Sequence, residues 1–280
     1  MKIHKSSILP LVVSLIYAVH TGSLSAELPM LEKQPWIGYF AVFQNKNFQL
    51  GVTNTIGVTL IPLNDKNEPI GKERQIPILV AIEETQADGK SVTKTIVKES
   101  LTSADPATEK LTKATIKGKV TGDATFELTI EQNHGIISIG GRILEPGSLK
   151  RESLKLSIQA KFPKQYDKDK KETKDEIKAF EKKLKDDRIN LVWTDGKRKK
   201  LDFKESVNAP SPEVNGPGIA SAEIEITGYG RDKFVFVATP NSAMTLSNEK
   251  TPLHEGFTIK WLADPAKDPE GKARLNFEIK

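Results

Sequence analysis

Thirty-seven acidic residues and not one cysteine set the chemistry open to this chain. Without a thiol there is no thiolate nucleophile, no cysteine metal site and no lipid attachment through a cysteine. Carboxylates remain, and two of them flanking a glycosidic bond suffice for hydrolysis. Glu223 and Glu225 stand on one face of an alternating segment, roughly 7 Å apart at strand spacing. The same alternation describes the wet face of an amphipathic strand, and that is the role expected of them.

Histidine offers less. Of four in the chain, only His134 and His254 follow the leader described below. Each stands alone in or beside a turn, where a solvent-exposed ring is expected. Zinc sites draw on several His or Cys ligands, which this sequence cannot supply. There is no G-x-S-x-G, so a Ser-His-Asp triad is not expected. Asn64-Asp65-Lys66-Asn67-Glu68 carries oxygen ligands without the spacing of an EF-hand loop and reads as a polar hairpin loop. No metal or cofactor is expected.

Two motifs point to binding. Gly228-Tyr229-Gly230-Arg231 places an aromatic and a cation on a turn, where they could meet a sugar ring or an acidic polymer, or where the tyrosine packs against its own strand. Lys197-Arg198-Lys199-Lys200 is the densest basic run. It could face anionic polysaccharide, and it would equally block edge-to-edge strand pairing. Tyr229, Arg231, Lys197, Arg198, Lys199 and Lys200 are therefore the candidate binding residues. Neither Gly140-Gly141-Arg142 nor Gly228–Arg231 both follows a strand and opens a helix, as a phosphate cradle would. Trp36, Tyr39, Phe40, Phe43 and Phe48 occupy both faces of their strands and point to core.

The elements that must position these residues come in a clear order. Lys2 and Lys5 precede an apolar run, Ile8 to Val19, followed by Ser23, Ser25 and Ala26. That is a secretory leader, too short to span a membrane, with cleavage expected after Ala26 or Ser25. The formal net charge of +5 falls to +3 once Lys2 and Lys5 leave. So small an excess, spread over the chain, is no nucleic-acid footprint. A bacterial periplasm or outer surface is the expected setting, and no later run reaches spanning length.

Period-two alternation then dominates, through Phe48–Val52, Ile56–Leu60, Ile116–Val120, Phe126–Ile130 and Leu154–Phe162 to Leu275–Ile279. This predicts a mainly β protein of antiparallel, β-sandwich-like domains. Hairpin turns are expected at Asp88-Gly89, Gly122-Asp123, Asn133–Gly135 and Asp195-Gly196. Pro77 lacks an N–H and favours a strand edge or a bulge. One amphipathic helix interrupts the pattern between Asp167 and Arg188. Thr173 and Glu176 can form its capping box, and Ile177, Phe180 and Leu184 form its apolar stripe. The expected organisation is a leader over 1–26, an N-terminal β domain over 27–163, a charged helical connector over 164–188 and a C-terminal β domain over 189–280. Ala114, Ile116, Gly122, Phe126 and Asn133 have counterparts 108 residues later, which raises an internal duplication.

Export without a compact catalytic constellation predicts a non-catalytic protein of the periplasm or cell surface that binds a partner such as glycan, envelope material or another envelope protein. The competing expectations are a carboxylate-based glycan-active hydrolase and a purely structural envelope component.

Overall fold

The alternating segments become seventeen strands among the described residues, 28–166, 173–208, 211–229 and 233–280 of a computed structural model. The expected leader over 1–26 lies outside those residues. Each strand turns one side chain in two toward a shared interior, so burial alternates along β7 (Lys113–Val120), β13 (Ile219–Glu225) and β17 (Leu275–Ile279).

The strands form two antiparallel layers. The long layer runs β6 (Ile96–Ser103), β7, β8 (Thr125–Asn133), β9 (Ile136–Glu145), β17, β14 (Lys233–Ala238), β13, β11 (Arg188–Trp193) and β12 (Arg198–Asp202). The other runs β1 (Tyr39–Gln44), β2 (Phe48–Thr53), β3 (Val58–Pro62), β4 (Ile76–Thr85), β10 (Leu154–Phe162), β16 (Phe257–Ala263) and β15 (Ser242–Ser247). A short strand, β5 (Ser91–Lys94), pairs with the far end of β4. Among the described strands the pair Ile219–Met244 links the layers. Strands from before and after the helix share both layers: β9 pairs with β17, and β10 pairs with β16.

Between the layers lies one continuous apolar cluster. Phe162 of β10 stacks on Phe257 at 4.5 Å and meets Phe234 and Phe236 of the opposite layer edge-on at 5.3 and 5.9 Å. These offset and edge-to-face arrangements are the ones that ring quadrupoles favour. The expected turns form. Gly122 and Asp123 both take positive φ, as do His134 and Gly135, matching the twist of the hairpins they close.

Three expectations change. The spacing of 108 residues is not a repeat of strand order. β8 folds back on β9, whereas the strand after β14 crosses to pair with β16 in the other layer. Pro77 lies in β4, an interior strand, but one residue beyond its last rung with β10, at Ile78–Ala160, where no ladder donor is needed from it. His254 is buried rather than exposed, with Nδ1 3.2 Å from the carbonyl oxygen of Phe203.

The helix α1 (Lys174–Leu184) opens on the expected capping box between Thr173 and Glu176. Leu184 is buried, and Phe180 sits edge-on between Tyr166 and His254 at 5.8 and 5.2 Å. Ile177, at the other end of the stripe, stays 39% exposed.

Candidate functional site

Alternation that sends one face of a strand to the core sends the other to water, and the outer face of the long layer is where the polar residues gather. Antiparallel register places side chains in rows across strands. One row reads Lys200, Asn190, Glu223, Val235, Glu278 on β12, β11, β13, β14 and β17. The next reads Arg198, Val192, Ser221, Val237, Asn276 on the same strands. The β12, β11, β13 and β14 members of these rows line a groove of about 620 Å³ whose exposed apolar residues are Val192, Val235 and Val237, and Glu278 and Asn276 lie beyond that lining on β17. Val237 is 39% exposed, so an apolar patch is open beside hydrogen-bonding groups. That combination suits a sugar, which has an apolar ring face and a rim of hydroxyls.

The carboxylates divide by role. Glu225 takes the Arg188 guanidinium at 2.6 Å and Lys233 at 3.2 Å. Its partial burial raises its pKa, but Arg188 and Lys233 more than offset this and hold the carboxyl below its usual range. It braces β13 against β11 and β14. Glu223 faces the same Lys233 at 3.2 Å. Glu278 pairs with Lys280 at 2.9 Å. Glu223 and Glu278 flank Val235 in one row, two strand steps apart. At about 4.8 Å per step their Cα atoms are roughly 10 Å from one another. Each carboxylate is held by a lysine, Glu223 by Lys233 and Glu278 by Lys280. Neighbouring residues on one strand were the pair visible in the sequence. The pair across strands required the register.

The structure disperses the candidate binding residues. Arg198, Lys199 and Lys200 line the groove. Lys197 is exposed at the hairpin tip and paired with Asp195 at 3.0 Å. Among the described residues β12 pairs only with β11, so the basic run occupies a sheet edge. Tyr229 is buried rather than displayed on a tip. Its hydroxyl donates to the Arg74 carbonyl at 2.9 Å, and its ring meets Phe234 edge-on at 5.0 Å. Burial pushes its phenol up to about 12. Arg231 lies outside the described residues. Among the described residues no group of His, Asp and Glu is placed to hold a metal ion, and no helix is long and apolar enough to cross a membrane.

A second carboxylate cluster lies on the outer face of the other layer. Glu83 accepts from Ser157 Oγ at 2.7 Å, Lys260 Nζ at 2.6 Å and Gln159 Nε2 at 3.2 Å. With both oxygens occupied and the residue only 5% exposed, this group locks strands together and has no room for substrate.

No protein-family model and no curated protein matches the chain. Solved structures do. The α-N-acetylgalactosaminidase NagBb from Bifidobacterium bifidum superposes on 85% of this chain at 9% identity, with a TM-score of 0.54. This chain spans 36% of that enzyme's length. A Synechocystis protein matches over 85% of this chain and 94% of its own length, at 11% identity and a TM-score of 0.47. A putative aldose 1-epimerase from Escherichia coli K12 matches over 86% and 98%, at 10% identity and 0.45.

The chain has a mainly antiparallel β-sandwich fold. The expectation of a non-catalytic binding protein is corrected at this point: the solved structure that superposes with a TM-score of 0.54 is a glycosidase.

Proposed function

We propose that this chain is a carbohydrate-active enzyme that hydrolyses glycosidic bonds on the outer face of its long layer, with Glu223 and Glu278 as the acid–base pair. The observation that carries this reading is the register row in which the two carboxylates flank Val235 beside an apolar-floored groove. The likeness to the α-N-acetylgalactosaminidase supports a carbohydrate substrate. The leader-like first 26 residues support an exported setting.

In the reaction a sugar ring lies over Val235 and Val237 with its hydroxyls toward Asn190, Ser221 and Arg198. One carboxylate takes a proton from water as the water oxygen bonds to the anomeric carbon. The other carboxyl gives its proton to the departing glycosidic oxygen. With the water between the two carboxyl groups, attack comes from the face opposite the leaving group and the product has inverted anomeric configuration. Glu225 acts as a positioning residue through Arg188 and Lys233.

Turnover of a panel of neutral oligosaccharides, followed by reducing-end release, tests this. Glu223→Gln and Glu278→Gln are each expected to lower kcat by at least about 100-fold, in line with loss of a general acid or base, with thermal melting unchanged. Wild-type turnover that survives both replacements, or no turnover on any glycan, overturns the reading.

A further inference from the structure

We propose that a cleft lined by β9, β10 and the segment after β16, separate from the groove, binds a small organic carboxylate of about the size of a hexuronate sugar. The cleft has a volume of about 460 Å³, within the size range of small-molecule sites. It opens where β9 leaves the long layer and β10 enters the other, roofed by the segment from Ala263 to Pro269. Ile143, Leu156 and Pro269 give it apolar walls, and Arg142, Arg151 and Lys155 bring three cations to it.

The cations are not equivalent. Arg142 pairs with Glu127 at 3.4 Å, and Arg151 donates to the Leu144 carbonyl at 2.7 Å while pairing with Glu145 at 3.6 Å. Lys155 is different. It is half-buried, and among the described residues its ammonium has no hydrogen bond or ion pair. Its cross-strand neighbour is Glu83, whose oxygens are already taken by Ser157, Gln159 and Lys260.

Two acids line the same cleft. Asp268 spends both oxygens on the Lys272 and Ala273 backbone N–H groups at 2.8 Å, and Glu152 is exposed at the rim. Lys155 also lines an adjoining cleft of about 580 Å³, beside Ala263 and Pro265, which line both. A half-buried, uncommitted ammonium at the wall between two clefts is a recognition point for an anion. The apolar walls receive the body of the ligand. This inference does not depend on the hydrolytic reading, since it uses neither Glu223 nor Glu278.

Isothermal titration of the full chain with glucuronate and with glucose as its neutral counterpart tests the proposal. Glucuronate is expected to bind measurably tighter than glucose. Lys155→Ala should weaken it roughly tenfold or more, the effect of losing one charge-assisted hydrogen bond, and Lys155→Arg should retain it. Thermal melting of each variant shows that the fold is kept. Equal binding of both sugars, no saturation with glucuronate, or glucuronate binding lost in Arg198→Ala and kept in Lys155→Ala overturns the assignment. Glu223→Gln should leave this binding unchanged, which separates its failure from that of the proposed hydrolysis.

Discussion

Glu83 on β4 and Lys260 on β16 meet at 2.6 Å across the intervening strand β10, whose fully buried Ser157 donates to the same carboxylate at 2.7 Å. Three strands are tied through one carboxyl group. The two ends of the ion pair differ in solvation: the Glu83 side chain is 7% exposed and that of Lys260 29%. Removing the lysine therefore strands a buried anion, whereas removing the anion leaves a partly hydrated cation. Lys260→Met is expected to cost about 2 kcal/mol, below the ~3–5 kcal/mol of a fully enclosed pair, and Glu83→Gln about 1 kcal/mol. Urea unfolding at neutral pH measures both, and a larger loss in Glu83→Gln contradicts the ordering.

The same cluster sets an acid limit. Burial raises the Glu83 pKa, but Lys260 and Ser157 more than offset it, so the folded value lies below the ordinary one. A carboxyl with a depressed folded pKa contributes its full stability above the unfolded value. It loses that contribution as pH falls through the folded one. Wild-type stability is expected to decline below roughly pH 4, with a shallower decline in Glu83→Gln. Parallel curves of unfolding midpoint against pH would show that Glu83 contributes nothing to the acid limit.

Asp187 is completely buried just beyond α1. It accepts from Tyr166 Oη at 2.6 Å, Thr227 N at 2.8 Å and Thr227 Oγ1 at 2.6 Å. Burial and the neighbouring Asp187 raise the Tyr166 phenol well above its usual range, so the hydroxyl stays a donor. Tyr166→Phe removes one donor from a buried charge and should cost about 1.5–3 kcal/mol. Asp187→Ala should cost at least as much, because it leaves several buried donors without an acceptor. Chemical unfolding that places Tyr166→Phe within 0.5 kcal/mol of wild type, roughly the range of a surface substitution, would contradict this.

On α1 the stripe is unequal. Phe180→Ala should destabilise by about 1–2 kcal/mol, since its ring is only partly buried between Tyr166 and His254. Ile177→Ala should change stability by less than about 0.5 kcal/mol, because Ile177 is exposed. Equal losses in thermal melts would mean that the whole stripe docks.

Gly141 is a close-approach glycine. A Cβ there falls on the carbonyl oxygen of Glu127 in the neighbouring strand β8, a backbone atom that cannot swing away. Gly141→Ala is expected to cost about 2 kcal/mol or more by forcing β8 and β9 apart. Gly118→Ala meets only the Leu101 and Phe126 side chains and should cost less. Comparing the two midpoints decides it.

The sequence on its own determined the strands, the hairpin turns and the capped helix, because each rests on neighbours within a few residues. Alternation along Lys113–Val120, the positive φ demanded at Gly122 and Gly135, and Thr173 reaching Glu176 need no distant partner. Tertiary structure alone decided which strands pair. A run such as Leu275–Ile279 has the same alternation whether it joins β16 or lies between β9 and β14. Packing then buried Tyr229 and His254, although both still lie in turns. Register placed Glu278 in one row with Glu223, 55 residues earlier in sequence. A hydrophobic pattern says which face of a strand is wet. Only the order of strands across the sheet says whose carboxylates share that water.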